Sequence, residues 1–189
     1  MVKYIGSKPL LVPRIVAAFR ALPGVRTVAD PFSGTARVGH ALKRAGFEVH
    51  ASDYLRFAYL LAVCYVAADA DRWRQEAAEL LRHLQTIAPS PGYFTEMFCV
   101  RSRYFRPENG AKVDAMREEI ARLRLAPELE AMALVSLMEA ADRVDSTTGL
   151  QMAYLKKWAP RALNSMELRM PSVLPGGGCA REGLAEEIA

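Results

Sequence analysis

Two aspartates, at positions 30 and 53, bracket a glycine-containing turn and a helix-forming run, and these are the residues of the chain best placed to do chemistry. The stretch that carries them begins Asp30-Pro31-Phe32-Ser33-Gly34-Thr35-Ala36-Arg37-Val38-Gly39. Gly34 lets backbone approach a ligand with no Cβ in the way, and a helix starting just behind it offers unpaired N–H groups to polar or anionic atoms. Asp53 follows about 20 residues after the turn, the spacing at which a carboxylate ending a second strand accepts hydrogen bonds from ribose hydroxyls. Together they predict an adenosine-containing cofactor. Gly34-x-Ala36-x-x-Gly39 is an imperfect dinucleotide fingerprint, a pattern that ordinary strand-to-helix turns also produce. Asp30, just ahead of the turn, is unusual for a nicotinamide site and suits a cationic amino group instead. That points to S-adenosylmethionine, which carries an ammonium, a carboxylate and a sulfonium. A nicotinamide-dependent oxidoreductase is the competing class, suggested by the turn and Asp53 and opposed by Asp30-Pro31-Phe32.

The elements that must position these groups are legible around them. Residues 26–29 form a short β-prone segment, residues 33–35 a tight turn, and Val38, Ala41, Leu42 and Ala45 fall at helical spacing before Gly46 closes the helix. A short apolar strand then runs to Asp53. Residues 57–68 are apolar but too short to span a membrane, and predict a buried helix. From Ala70 to Leu163 the pattern is almost entirely helical. Residues 71–87 place Trp73, Ala77, Leu80, Leu81 and Leu84 on one face, residues 112–125 do the same with Val113, Met116, Ile120 and Leu123, and residues 127–144 are rich in Ala, Met and Leu. Met132 and Met138 read as core filler, and Glu118 with Glu119 as a solvated face. The sheet is expected to resume near residues 165–170 or to stay incomplete, with Gly176-Gly177-Gly178 a turn and residues 180–188 a short terminal helix. Two or three strands would leave one sheet edge without a partner.

With 189 residues, 51% of them hydrophobic, the chain can bury a sizeable core. Lys8, Pro9 and Pro13 interrupt the only apolar stretch near the amino terminus, so no signal-peptide pattern is present. Three scattered cysteines, Cys64, Cys99 and Cys179, without a Cys-x-x-Cys pair, argue against a zinc site and for a reducing, cytoplasmic setting. His40, His50 and His83 show no metal-binding spacing. The formal net charge of +4 is compatible with nucleic acid, and its distribution is more telling. Arg101, Arg103 and Arg106 interleave with Tyr104 and Phe105, while Lys156, Lys157 and Arg161 flank Tyr154 and Trp158. Basic and aromatic side chains mixed in this way suit phosphate contact and base stacking, with Thr147 and Thr148 in a polar turn able to donate to phosphates. The alternative for both clusters is an aromatic core under a solvated charged face.

Three blocks carry a family resemblance: Lys3-Tyr4-Ile5-Gly6-Ser7-Lys8-Pro9-Leu10-Leu11, the Asp30 to Gly39 stretch with Ala51-Ser52-Asp53, and Ala140-Ala141-Asp142-Arg143-Val144-Asp145-Ser146-Thr147-Thr148-Gly149 through Trp158. Over residues 3 to about 175 the chain resembles bacterial and phage DNA adenine methyltransferases. The resemblance implies an α/β fold: a partial Rossmann-like S-adenosylmethionine-dependent methyltransferase fold with a large helical insertion. It divides the chain into a methyl-donor-binding α/β portion at 1–69, a helical target-recognition insertion at 70–164 and a return segment at 165–189. It also implies that Tyr4, Gly6, Ser7 and Lys8 line the methionine end of the cofactor, that Asp30 faces the ammonium, and that Pro31, Phe32, Ser33, Gly34 and Thr35 wrap the ligand. Asp53 would then hold the ribose, with Tyr54 beside the adenine, and double-stranded DNA is the implied partner.

The sequence departs from the family at two places. Ala36 stands where many relatives have Gly. The family's catalytic tetrapeptide, Asp or Asn followed by Pro-Pro-Tyr or Pro-Pro-Phe, is absent, and no Pro-Pro pair occurs anywhere. The exocyclic amine of adenine is a poor nucleophile because its lone pair is delocalised into the ring, and the tetrapeptide accepts its N–H bonds and stacks on the flipped base. The expectation is therefore a truncated methyltransferase, inactive alone, associating with its missing catalytic segment or with itself through the open sheet edge. A catalytically silent DNA-binding or regulatory remnant is the alternative.

Overall fold

The computed structural model describes residues 10–148 and 155–188. Three parallel strands, β1 (Thr27–Asp30), β2 (Glu48–Asp53) and β3 (Cys179–Glu182), lie in the order β1-β2-β3. Register sets Val28 beside Val49 and Asp30 beside Ala51, with Ala180 on the far side of Ala51. Partners in register point to the same face, so Val28, Val49, Ala51 and Ala180 form one apolar face. That face is covered by α2 (Arg37–Arg44), by α3 (Arg56–Ala62) and by the π-helical turn Val63–Ala67 that extends α3. α1 (Val12–Arg20) packs outside α2, where Phe19 meets Phe47 edge to face at 6.1 Å.

Gly46 ends α2 in the left-handed conformation, φ +93°, as its place after the last apolar residue requires. Gly39 serves packing instead, because a Cβ there would stand 2.9 Å from Val66 Cγ2 and 3.4 Å from Val49 Cγ1. Its bare backbone lets α2 lie close against β2 and the π-helical turn. Lys43, on the same helix, is buried and donates to the carbonyls of Val66 (2.9 Å) and Ala68 (2.7 Å), which the end of the π-helical turn leaves unpaired. Burial lowers its pKa from the ordinary lysine value, with Asp69 pulling the other way.

The helical block comprises α4 (Ala70–Gln85), a second π-helical turn (Thr95–Arg101), α5 (Pro107–Leu123) and α6 (Pro127–Arg143). Asp69 caps α4 by accepting from Asp71 N, and Pro107 and Pro127 occupy first-turn positions of α5 and α6, where a missing N–H costs nothing. α6 is the shared spine. Its Leu129, Met132 and Val135 join the sheet-side core, while Leu134, Leu137 and Ala140 pack with Leu81, Leu84, Met116 and Ile120 in a second core. Met132 is core, as its spacing predicts, and Glu119 is bound on the surface by Arg122 (2.7 Å) and His83 (2.7 Å), which lower its pKa to about 2.

The carboxyl-terminal segment corrects the sequence reading. Residues 165–170 form no strand, because side chains of the helical block have taken their backbone groups. Met166 N donates to Asn109 Oδ1 (2.9 Å), Leu168 N to Gln85 Oε1 (2.8 Å), and Arg169 O accepts from Ser136 Oγ (2.8 Å). The segment is a strap across α4, α5 and α6. The third strand comes later, at Cys179–Glu182, which leaves only α7 (Ala185–Ile188) of the expected helix over residues 180–188.

Candidate methyl-donor site and basic surface

The carboxyl ends of β1 and β2 bring the two predicted aspartates to the same edge of the sheet, the location where open α/β sheets bind ligands. The intervening turn is tied to β2 at two successive residues. Ser33 N donates to Ser52 O (3.0 Å), and Gly34 N donates to Asp53 Oδ2 (2.8 Å). The other carboxylate oxygen of Asp53 accepts from Leu55 N (3.0 Å), closing the turn into α3. Each oxygen has a second lone pair, so the carboxylate can hold the turn and still accept from a ligand.

The turn itself winds through two left-handed residues, Gly34 (φ +53°) and Ala36 (φ +55°), with Ala36 N donating to Ser33 O (2.9 Å). Ala36 keeps this conformation despite its Cβ, and it is fully buried. Ser33 and Thr35 point inward, and the Ser33 hydroxyl has no hydrogen-bond partner among the described residues. Phe32 and Tyr54 are thrust outward, 79% and 68% exposed, beside Pro31 at the mouth of the same turn.

Beneath the turn lies a polar cluster that sequence reasoning did not find. His40 Nε2 lies 2.7 Å from Ser172 O and packs on Tyr65 with ring centroids 5.3 Å apart, and the Tyr65 hydroxyl donates to Glu139 on α6. Burial lowers the His40 pKa and raises that of Tyr65. Arg56 reaches Glu182 at the end of β3 (2.6 Å), a pairing between residues 126 positions apart that no local pattern signals. On the other face of the sheet Ala29, His50, Ser52, Cys179 and Arg181 line a cleft of about 260 Å³. Tyr4, Gly6, Ser7 and Lys8 lie outside the described residues.

The basic and aromatic clusters converge in part. The guanidinium of Arg103 lies 5.1 Å from the centre of the Trp158 ring, joining one cluster to the other. Arg101 pairs with Glu96 (2.8 Å) and Arg106 with Glu108 (2.7 Å), all near the surface. Phe105 is core, packed against Phe94. Thr148, Lys156 and Lys157 are exposed, whereas Thr147 is buried with its hydroxyl donated to Asp145. Arg161 Nε also binds Asp145 (2.6 Å), and its Nη2 donates to Thr147 O (2.9 Å), so Arg161 is half engaged in this knot. The hydrogen bond to Asp145 raises its pKa further. Tyr154 lies outside the described residues.

A parallel sheet with a glycine turn between β1 and α2, a carboxylate closing β2 and a helical block carrying a basic surface defines an α/β domain of the methyltransferase class. The chain belongs to the D12 class N6 adenine-specific DNA methyltransferase family, which it matches over residues 4–174. It is 29% identical over 177 residues to the type II methyltransferase M.NlaIII of Neisseria lactamica, a match covering 87% of this chain and 52% of that protein. Similarity to the type II methyltransferase M.FokI of Planomicrobium okeanokoites is 30% over 186 residues, 88% of this chain and 28% of that protein. With M.CviAII of Paramecium bursaria Chlorella virus 1 it is 29% over 170 residues, 86% and 52%. The chain thus spans about half the length of M.NlaIII and M.CviAII and less than a third of M.FokI. No solved structure matches it. Membership in this family implies a methyl donor and sets aside the nicotinamide-dependent alternative.

Proposed function

We propose that these residues bind S-adenosylmethionine and double-stranded DNA for a site-specific adenine methyltransferase, and that the groups activating the adenine amine are supplied from outside them. The observation that carries this reading is the Asp53 carboxylate, fixed to Gly34 N and Leu55 N at the end of β2, in a turn that also exposes Phe32 and Tyr54. The residues fit an adenosine-containing donor: lone pairs for ribose hydroxyls, apolar planes for a base, and a buried Ser33 hydroxyl with bonding capacity to spare. When bound, the donor supplies an electrophilic methyl group on its sulfonium.

This chain's own contribution is binding and orientation. Asp53 accepts from the ribose, Phe32 and Tyr54 flank the adenine, Pro31 to Thr35 enclose the ligand, and Asp30 attracts the methionine ammonium. Family resemblance assigns Tyr4, Gly6, Ser7 and Lys8 to the methionine end. Arg101, Arg103, Arg106, Thr148, Lys156 and Lys157 make up the DNA surface. Thr147 and Arg161 serve it from beneath, by holding its loops together. None of these groups accepts the N–H bonds of an adenine amine in the manner of an Asp-Pro-Pro-Tyr motif, which the sequence lacks. A segment carrying it has a natural place, since β1 has β2 on one side and no strand on the other among the described residues. The molecule works in the cytoplasm, where Cys64, Cys99 and Cys179 stay reduced.

The test is methyl transfer from labelled S-adenosylmethionine to duplex DNA by the 189-residue chain. The expected result is donor binding without transfer. Transfer by this chain alone would show that it holds the acceptor-activating groups itself and would contradict the assignment.

A further inference from the structure

Two of the three thiols are sealed in the interior. Cys64 and Cys99 are both buried, and burial pushes their pKa values up, that of Cys99 to about 11. Cys179 is only half-buried and lines the cleft of about 260 Å³ on the sheet face away from α2 and α3. Strand register surrounds it with groups that handle a proton and an anion. Cys179 pairs with His50, and Arg181 with Ser52, on strands about 4.8 Å apart, and all four side chains line the cleft. His50 Nε2 lies 3.2 Å from Glu48 Oε1, and with the ring proton held there Nδ1 keeps a lone pair. Arg181 is exposed, and its planar fork matches a carboxylate.

Ser52 points to a ligand independently of the thiol. It is 3% exposed, it lines the cleft, and its hydroxyl makes no hydrogen bond to another described residue. A buried hydroxyl in that state carries a desolvation cost that an acceptor on a ligand removes. The cleft is smaller than the ~300–1,000 Å³ typical of sites for larger organic ligands, so it suits one half of a small disulfide.

We propose that Cys179 is a modification site for a low-molecular-mass disulfide bearing carboxylates, with His50 taking the thiol proton and Ser52 and Arg181 binding a carboxylate of the reagent. The Cys179 sulfur attacks one sulfur of the disulfide, a new S–S bond to the protein forms as the old one breaks, and the departing thiolate takes the proton from His50. The thiol is oxidised and the departing half is reduced, so the disulfide is the only oxidant required. A reducing cytoplasm keeps Cys179 free at rest; the adduct forms as such disulfides accumulate and is removed by excess thiol.

The probe is glutathione disulfide, with bis(2-hydroxyethyl) disulfide as the uncharged comparison. Intact mass and peptide mapping follow adduct formation on the native 189-residue chain and on Cys179→Ser, Arg181→Ala, Ser52→Ala and His50→Gln, each checked for folding by thermal melting. Wild type is expected to gain one glutathione adduct, at Cys179, and Cys179→Ser none. Arg181→Ala is expected to react about 10-fold more slowly with glutathione disulfide, as for loss of one hydrogen bond between charged groups at an exposed site, and at an unchanged rate with the uncharged reagent. Ser52→Ala should show the same selectivity, whereas His50→Gln should slow both reagents. No adduct on wild type, or an adduct at Cys64 or Cys99 of the folded chain, overturns the proposal. Rates with glutathione disulfide unchanged in Arg181→Ala and Ser52→Ala, or lowered equally for both reagents, overturn the carboxylate subsite, and unchanged rates in His50→Gln overturn the role of His50.

Discussion

Replacing Asp53 by Asn should half release the glycine turn from β2. Each carboxylate oxygen holds one backbone N–H, Gly34 at 2.8 Å and Leu55 at 3.0 Å. Asn keeps one accepting oxygen and sets an NH2 donor against the other N–H. A hydrogen bond to a charged group contributes about 1.5–3 kcal/mol, and the partial exposure of Asp53 places each near the low end. The expected losses are about 1.5 kcal/mol for Asn and about 3 kcal/mol for Ala, where both bonds go. With a urea slope of about 2 kcal/mol per molar, the unfolding midpoints should fall by about 0.7 M and about 1.5 M. Hydrogen exchange supplies a local readout, since the Gly34 amide should lose protection in both variants while amides of α5 and α6 keep theirs unless global stability is limiting. Midpoints within about 0.2 M of wild type in both variants, with Gly34 protection retained, would refute the claim that this carboxylate pins the turn.

Three further perturbations probe the framework around the site. Gly39→Ala drives a methyl group to within 2.9 Å of Val66 Cγ2; overpacking of about 1–3 kcal/mol against a helix-propensity gain of about 1 leaves a net loss of up to about 2 kcal/mol by urea denaturation. Lys43→Met strips two buried carbonyls of their donor, and because the relief of burying the cation offsets only part of that, calorimetry should show a loss of about 2–4 kcal/mol. Asp114, although burial opposes its charge, is held below its ordinary pKa of 3.8 by Thr95 Oγ1 (2.7 Å) and by the amides of Thr95, Phe94 and Gly92 (2.8 Å each). A carboxylate with a lowered folded pKa stabilises above its unfolded value and loses that contribution as pH falls through the folded one. Wild type should therefore lose stability below about pH 4 more steeply than Asp114→Asn, which is less stable at pH 7, and parallel pH profiles would contradict this.

The region around the candidate donor site was legible because its signals are local. A β-prone segment, a glycine turn, apolar residues at helical spacing and Gly46 all act within a few residues, and Asp53 falls at the end of β2 as its spacing from the turn predicts. The helices of residues 70–143 were legible for the same reason, although α5 starts five residues before the periodic stretch at Lys112, behind Pro107. What was missed depends on distant partners. Nothing in Cys179-Ala180-Arg181-Glu182 favours a strand, and it becomes one by pairing with the open edge of β2. Residues 165–170 stay out of the sheet because Gln85, Asn109 and Ser136 consume the hydrogen bonds that a sheet would have used. In the basic surface, composition singled out Thr147 and Arg161 without revealing that Asp145 draws both inward, and it gave no sign that Arg103 and Trp158 meet.

Isothermal titration of the 189-residue chain with S-adenosylmethionine, with NADH as comparison, tests the central claim most directly. The account predicts saturable, micromolar binding of S-adenosylmethionine, none of NADH, and at least 10-fold weaker donor binding by Asp53→Ala, as expected for loss of a hydrogen bond to a charged group. Donor binding equal in wild type and variant, or no binding of S-adenosylmethionine by wild type, would contradict it.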